Sequence, residues 1–576
     1  MNKINLLFAL MLVVSSINMN AQDGTEAEFR KWALTPPMGW NSWDCYYSSI
    51  NEEITMANAK VQQRKLLKYG YEYVVVDIRW YANHPSHGGG RYNEDNPDCQ
   101  LDEYGRYIPS PMRFPSGFKW MADAIHRMGM KFGIHIMRGL PKCILDNPSV
   151  YKLKGAEDIS WDKVYTSTKP ECMWLKDNLT VRNNEYGQLY YNSIVDLYAE
   201  WGVDFIKVDD MSRPYAAEEI NMLRKAIDQC GRPIVLSLSP GKTAYDKIDD
   251  LHQKTNMWRM MDDLWDNWPS IKNVFTEADY WSKHHQPGCY ADCDMLPIGQ
   301  IGMTVYDEGY CKADSGRKSG LTEDELRTMM TLWGICHSPL FIGGDLTMMD
   351  QQTLRLLTNE DYLNMHAYGV EARQISNEEG RIQWTSIDPE TGDRYLALFY
   401  TDPKTSTCIL ASVTDNTGDS NVYESSNFMI DFTSLGFEKG QKVKVYDVWD
   451  NGKLLGTFSG TELTQTVKRH GVKLLRLKPE RSGKNSLRLQ TSAIGNGNFL
   501  ITATINGHVD EHSYVKFLMD GKFVGSVKVE PITKKAVYHL YKPTKGKHTF
   551  QAFYSGTATT PYNRQIKSCK LKKQIV

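Results

Sequence analysis

The chain has 576 residues, 41% of them hydrophobic and 24% charged, the balance of a globular protein with room for two to four domains. That balance excludes a disordered, collagen-like or coiled-coil chain. The formal net charge of −2 excludes a global electrostatic grip on nucleic acid. Aromatic residues make up 11%, with 15 Trp and 32 Tyr, which suits flat neutral ligands such as sugars but serves core packing equally well.

The charge is unevenly spread. Residues 481–576 hold sixteen Lys and Arg against four Asp and Glu, a net +12, so the preceding 480 residues carry −14. The N-terminus reads as a secretion signal over 1–21. Lys3 supplies the positive start, Leu6 to Val14 the apolar run, and Met19-Asn20-Ala21 the cleavage site before Gln22. The run is too short to span a bilayer, and no later segment has the roughly 18 apolar residues of a membrane helix. The expectation is export to a bacterial periplasm or beyond, without a membrane span. Eleven Cys leave at least one unpaired within the chain, and export permits disulfides. His284, His285, Cys289 and Cys293 have an H-x4-C-x3-C spacing that is no usual zinc pattern, so a small disulfide loop or thiols are expected there, and no metal.

From 22 to 368 short apolar runs alternate with helix-like stretches. The runs are Tyr73–Asp77, Lys131–Ile136, Val203–Asp209, Pro233–Ser237 and Pro339–Gly343, with amphipathic segments such as Phe118–Met128 and Ala216–Gln229 between them. Near-continuous apolar strands are those buried on both faces, and alternation with helices predicts a parallel α/β fold. Nearly every run ends in a polar residue: Asp77, His135, Asp209, Ser237, then Arg259 and Asp263, and Asp294. In a (β/α)8 TIM barrel such strand ends converge on one mouth. A doubly wound sheet calls for a Gly-rich phosphate loop, which the first strand lacks. After about 369 the helical pattern stops, and an antiparallel β domain is predicted to 479. Residues 480–486 read as a polar linker, and 487–576, with Asn506-Gly507 and Asp520-Gly521 turns, as a basic β-sandwich module.

Two Asp pairs bear chemistry: Asp209-Asp210 after Lys207-Val208, and Asp262-Asp263 after Trp258-Arg259. Two carboxylates at a barrel mouth are what glycoside hydrolysis requires, with Lys207 keeping its neighbour ionised. Asp pairs also cap helices after strands, and on the residues alone the two readings stand level.

The flanking motifs decide. Thr35-Pro-Pro-Met-Gly-Trp-Asn-Ser-Trp43, Lys207-Val-Asp209, Arg259 followed by Asp263, and Asp292-Cys-Asp294-Met295 together resemble the family-27 glycoside hydrolases, the α-galactosidase or melibiase family, over residues 33–478. The resemblance implies a retaining exo-glycosidase acting on an oligosaccharide or polysaccharide, without a cofactor. It implies Asp209 as nucleophile and Asp263 as acid/base, their carboxyl groups about 5–5.5 Å apart. Lys207 and Arg259 match ligands of sugar hydroxyls, Trp40 the aromatic wall, Asp77 the first Asp of a strand-2 pair, and Asp294 a residue near the 2-hydroxyl.

Three positions depart from the α-galactosidase pattern. The second Asp of the strand-2 pair, which binds the O4/O6 edge, is here Ile78. A sugar hydroxyl facing it loses a partner, at about 1–3 kcal/mol. The site is therefore expected to favour β-L-arabinopyranose, which is α-D-galactopyranose without C6, and some family members cleave that sugar. The alternative is an ordinary α-galactosidase whose hydroxymethyl group is read by other residues. Ser239 falls where the 2-substituent is read, which admits an α-N-acetylgalactosaminidase. His135 replaces a Tyr, and either donates to the sugar or is structural. The loop from His87 to Pro109 is expected at the mouth. Two further classes stand beside the enzyme: a non-catalytic carbohydrate-binding protein on this scaffold, and a metal-dependent barrel hydrolase. The basic module is expected either to contact an acidic glycan or anionic cell surface or to act as a spacer.

Overall fold

The computed structural model describes residues 28–84, 100–167, 172, 175–307, 310–401, 424–480, 486–554, 566–567 and 571–575. The predicted signal segment, most of the 480–486 linker and residues 85–99 of the inserted loop lie outside these. Among the described residues no helix is long and apolar enough to cross a membrane.

Eight parallel strands form the first sheet: β1 (Met38–Asn41), β2 (Tyr73–Val76), β3 (Lys131–Met137), β4 (Phe205–Asp209), β5 (Val235–Leu238), β6 (Met257–Arg259), β7 (Tyr290–Asp292) and β8 (Leu340–Ile342). β2 to β7 each pair with the strand before, and β8 pairs with β1. The ring closes just beyond β7, where Leu296 bridges Ile342. Leu296 N donates to Phe341 O at 2.7 Å and Gly343 N to Leu296 O at 2.8 Å. This is the expected TIM barrel. The helices between strands are α1 (Glu52–Lys65), α2 (Gly117–Arg127), α3 (Glu185–Trp201), α4 (Ala217–Gln229), α5 (Ile248–Lys254), α6 (Trp268–Trp281) and α7 (Glu323–Ile335).

Local sequence explains the boundaries. Asn51, Asn184 and Asn267 accept from the first-turn amides of α1, α3 and α6, and Thr322 with Glu325 forms a capping box on α7. The strands that follow Pro233 and Pro339 begin later than the apolar runs do, at Val235 and Leu340, because proline has no N–H for the ladder. Gly39 of the first-strand motif is obligatory by close approach: a Cβ there would lie 2.2 Å from the Tyr73 carbonyl oxygen. Inside the ring, Tyr73, Val75, Phe205, Val235, Met257 and Phe341 pack together, so the barrel is filled below its mouth.

Beyond the barrel, a six-stranded sheet runs in spatial order Val370–Glu378, Arg381–Ile387, Arg394–Tyr400, Val472–Pro479, Val443–Asp447, Lys453–Phe458, with a ribbon of Ser425–Ile430 and Leu463–Lys468. The last unit holds a three-stranded and a larger antiparallel sheet around its own core of Ile501, Val515, Phe517, Phe550 and Tyr554. It rests against the rest of the chain through polar contacts. His512 bonds Glu371 at 2.7 Å, Lys516 Nζ bonds Glu390 at 3.0 Å, Tyr514 OH donates to Glu371, and Phe523 packs on Tyr368. Part of the module's basic charge therefore faces the acidic body rather than solvent.

Candidate active site

The C-terminal strand ends surround a cavity of about 420 Å³, the size of a pocket for a sugar ring with room at its mouth. Its wall includes Trp43, Asp44, Tyr47, Asp77, Ile78, His135, Lys207, Asp209, Ser239, Arg259, Asp263, Trp265 and Asp294. Nine of the ten sequence-predicted site residues meet here. The tenth, Trp40, does not: it is wholly buried in β1 and its Nε1 donates to Gly344 O at 2.9 Å. The aromatic wall is instead Trp43, in the single helical turn Trp43–Tyr46 that follows β1, with Tyr47 edge-on to it at 5.5 Å and Trp265 close by. The signal that would have found Trp43 is positional. Mouth residues lie just past a strand end, and Trp40 sits inside the strand.

One half of the pocket is a charge network. Lys207 Nζ donates to Asp77 Oδ2 at 3.0 Å, as does Asn41 Nδ2 at 2.9 Å, and Ile78 N donates to Asp77 Oδ1 at 2.9 Å. Burial alone would raise the Asp77 carboxyl, but His135, Lys207 and Asn41 outweigh it and hold the group below its usual range. Burial would lower Lys207, yet Asp77, Asp294 and Asp209 raise it, so it stays a cation. His135 Nε2 is 3.2 Å from Asp209 Oδ2 and 3.9 Å from Asp77 Oδ1, so the ends of β2, β3 and β4 meet around this imidazole. His135 thus bonds the Asp209 carboxyl group at the cavity wall.

The two Asp pairs separate by partner. Asp209 ends β4 facing the cavity. Asp210 turns away, at φ 63°, to an ion pair with Arg138 at 2.6 Å, and Arg138 also holds Glu219. Asp262 is engaged by the exposed Arg213 at 2.9 Å. Asp263 keeps its side chain 57% exposed at the rim, 3.3 Å from Arg259 Nη2. Arg259 is wholly buried and pairs with Asp294 at 2.6 Å. Burial would lower Arg259, and Asp294 and Asp263 raise it. Asp294 sits two residues past β7 with φ 86° and accepts from Leu264 N at 2.8 Å. Burial pushes its carboxyl up to about 7, Arg259 opposing and Asp263 and Asp292 adding. The geometry offers one well-held carboxylate deep in the pocket and one carboxyl at the solvent rim, a division suited to nucleophilic attack and proton transfer.

Ile78 is 1% exposed and forms the wall beside Asp77. The next residue, Arg79, points elsewhere and pairs with Asp177 at 2.8 Å. Ser239 Oγ is buried without a partner. Of the inserted loop, Tyr107 stacks on Tyr81 at 3.9 Å, and its described part contributes no residue to the cavity wall. Cys289 and Cys293 are not bonded to each other; Cys293 Sγ lies 3.7 Å from Cys336 Sγ. His285 Nε2 accepts from Ala291 N at 3.0 Å, and no cluster of His, Cys, Asp and Glu suited to a metal occurs among the described residues. A larger cleft of about 600 Å³ lies at the opposite, N-terminal ends of β1 and β2, against Tyr368 and Phe523, and holds none of this machinery.

The chain matches the family models for alpha galactosidase A, over 35–155 and 178–312, and for the alpha galactosidase C-terminal beta sandwich domain, over 384–477. It is 39% identical to a β-L-arabinopyranosidase of glycoside hydrolase family 27 from Geobacillus stearothermophilus, with a TM-score of 0.70, covering 79% of this chain and 99% of that one. The chain belongs to glycoside hydrolase family 27. A second solved structure, of a putative α-N-acetylgalactosaminidase from Bacillus halodurans, is 37% identical, with a TM-score of 0.63, over 78% of this chain and 98% of that one. A probable α-galactosidase from Dictyostelium discoideum is 27% identical over 458 residues, 78% of this chain and 93% of its own length. As a family-27 member the protein is a glycoside hydrolase, and a glycan is its substrate.

Proposed function

We propose that this family-27 enzyme is an exported, retaining exo-glycosidase that prefers terminal β-L-arabinopyranosyl residues. Asp209 attacks the anomeric carbon and its carboxylate forms a glycosyl ester as the glycosidic C–O bond breaks. Asp263 gives its proton to the leaving oxygen, then takes one from the water that hydrolyses the ester, which returns Asp209 as carboxylate. Lys207 and Arg259 hold ring hydroxyls, and Trp43 covers one edge of the ring. The observation that carries the sugar preference is Ile78, buried in the cavity wall beside Asp77, where a C6 hydroxymethyl group finds an apolar branch rather than an acceptor. The Geobacillus relative supports the reading. The test compares kcat/KM on nitrophenyl β-L-arabinopyranoside and nitrophenyl α-D-galactopyranoside, with Asp209→Ala as the blank. A tenfold preference for the pentoside is expected, and a preference for the galactoside overturns it.

A second reading, α-N-acetylgalactosaminidase, is favoured by the unpartnered Ser239 hydroxyl and by the Bacillus relative. It predicts that an N-acetylgalactosaminide is cleaved faster than either sugar above. The export reading rests on the sequence of residues 1–21.

A further inference from the structure

Asp44 occupies the cavity wall with no assigned role. It lies in the single helical turn after β1, next to Trp43, and is 8% exposed. The turn is fixed from both sides. Asn41 Oδ1 accepts from Trp43 N at 2.9 Å while Asn41 Nδ2 holds Asp77, and Tyr46 N donates to Ser42 O at 3.0 Å. Asp44 Oδ2 is buried without a hydrogen-bond partner, and no described residue bonds its other oxygen. Its seat is made by a glycine: a Cβ on Gly343, just past β8, would lie 2.1 Å from Asp44 Oδ2.

Buried polar side chains are nearly always partnered, and those that are not need an explanation. A structural Asp in a turn caps amides, as Asp345 and Asp350 do here. Asp44 caps none; the turn has no side-chain cap. Its charged neighbours are Asp294, Lys207, Asp263 and Asp77, all groups of the cavity. Burial first, then Asp294, Asp263 and Asp77 against the pull of Lys207, push its carboxyl well above the usual range. A protonated carboxyl both donates and accepts, which matches a sugar hydroxyl.

We infer that Asp44 is a substrate-binding residue that hydrogen-bonds a ring hydroxyl of the glycone, held there by the space that Gly343 leaves. This rests on the glycosidase reading above. It adds a hydroxyl contact on the β1 side of the ring, beside Trp43, to those supplied from β2, β4 and β6.

The test sets the wild type, Asp44→Ala, Asp44→Asn and Gly343→Ala against the preferred nitrophenyl glycoside and its monodeoxy analogues, with thermal unfolding of each variant. In the wild type, removing the hydroxyl that Asp44 reads is expected to lower kcat/KM about tenfold. In Asp44→Ala the parent substrate loses a similar factor, and that same deoxy change then costs less than about threefold. Asp44→Asn, which keeps a donor and an acceptor, falls between. Gly343→Ala, which displaces the carboxyl, reproduces the selective loss and adds little on top of Asp44→Ala. The inference is overturned if folded Asp44→Ala loses nothing, or loses equally on every deoxy analogue, as a merely structural residue would. A wild type that cleaves no pyranoside overturns the glycosidase reading instead, and this inference with it.

Discussion

Replacing Ile78 with Asp tests how the cavity wall chooses its sugar. Ile78 is 1% exposed, and its backbone N–H is already spent on Asp77 Oδ1 at 2.9 Å. The substitution therefore changes the side chain with little change in the backbone hydrogen bonding. A hydroxymethyl oxygen placed against Ile78 loses water without gaining a partner, at about 1–3 kcal/mol, or about 5- to 150-fold in kcat/KM. An Asp at 78 supplies the acceptor in a more compact side chain, so the galactoside should recover a factor in that range. The pentoside has no group there and gains nothing. It should lose somewhat, because an empty carboxylate-lined pocket holds water that the substrate must displace. The fold also suffers: exchanging a buried Ile for a smaller polar side chain costs about 2–5 kcal/mol. The assay is the ratio of kcat/KM on the two nitrophenyl glycosides for wild type, Ile78→Asp and Ile78→Ala, with unfolding curves to confirm that each variant is folded at the assay temperature. The ratio should move towards galactose by at least about fivefold in Ile78→Asp and by less in Ile78→Ala, which offers space without an acceptor. A folded Ile78→Asp whose ratio shifts less than twofold refutes the reasoning, and equal shifts in both variants would leave steric bulk alone as the cause.

Three other outcomes follow from the site. Asp209→Ala should abolish turnover, whereas Asp210→Asn should lower thermal stability through the Arg138 and Glu219 network while leaving most of kcat, measured by nitrophenol release and calorimetry. Asp263→Ala should slow poor leaving groups far more than nitrophenol, and azide should restore turnover as the glycosyl azide, read by mass spectrometry, because only protonation and water activation are lost. For stability against pH, Asp294 has its folded carboxyl raised from the usual 3.8 to about 7. The folded state then binds the proton more tightly than the unfolded chain, so this group's contribution is fully present below about 3.8 and is lost as pH rises towards 7. Asp294→Asn should therefore gain in melting temperature relative to wild type between pH 5 and pH 8, and an unchanged difference across that range would contradict the assignment.

What the sequence made legible, and what it did not, divides along a physical line. The strands could be read because burial on both faces demands near-continuous apolar runs, and Tyr73–Val76 and Phe205–Asp209 obey that demand. The residues closing those runs could be read because a strand end in a barrel has one place to go. Asp77, Lys207, Asp209 and Arg259 therefore arrive together with no further information. Trp40 misled for the same reason that the strands were legible: an aromatic within the apolar run is core, and the ring on the cavity wall is Trp43, past the strand end, where no periodicity marks it. Asp44 carries no motif of its own, and its role rests on a glycine 299 positions away that leaves room for its carboxyl. Partner choice within the Asp pairs was also beyond the sequence, since it depends on Arg138 from β3's end taking Asp210 and Arg213 taking Asp262. These misses share one cause. Fold is set by which residues leave water, and that is written locally. The site is set by which charges meet after folding, and most of those meetings, such as Lys207 with Asp77 and His135 with Asp209, join segments far apart in the chain. The barrel is consequently the robust part of this protein and the wall around Asp77, Ile78 and Asp44 the adjustable part. A change at 78 alters the wall beside Asp77 while leaving in place the contacts of His135 with Asp209 and of Lys207 with Asp77.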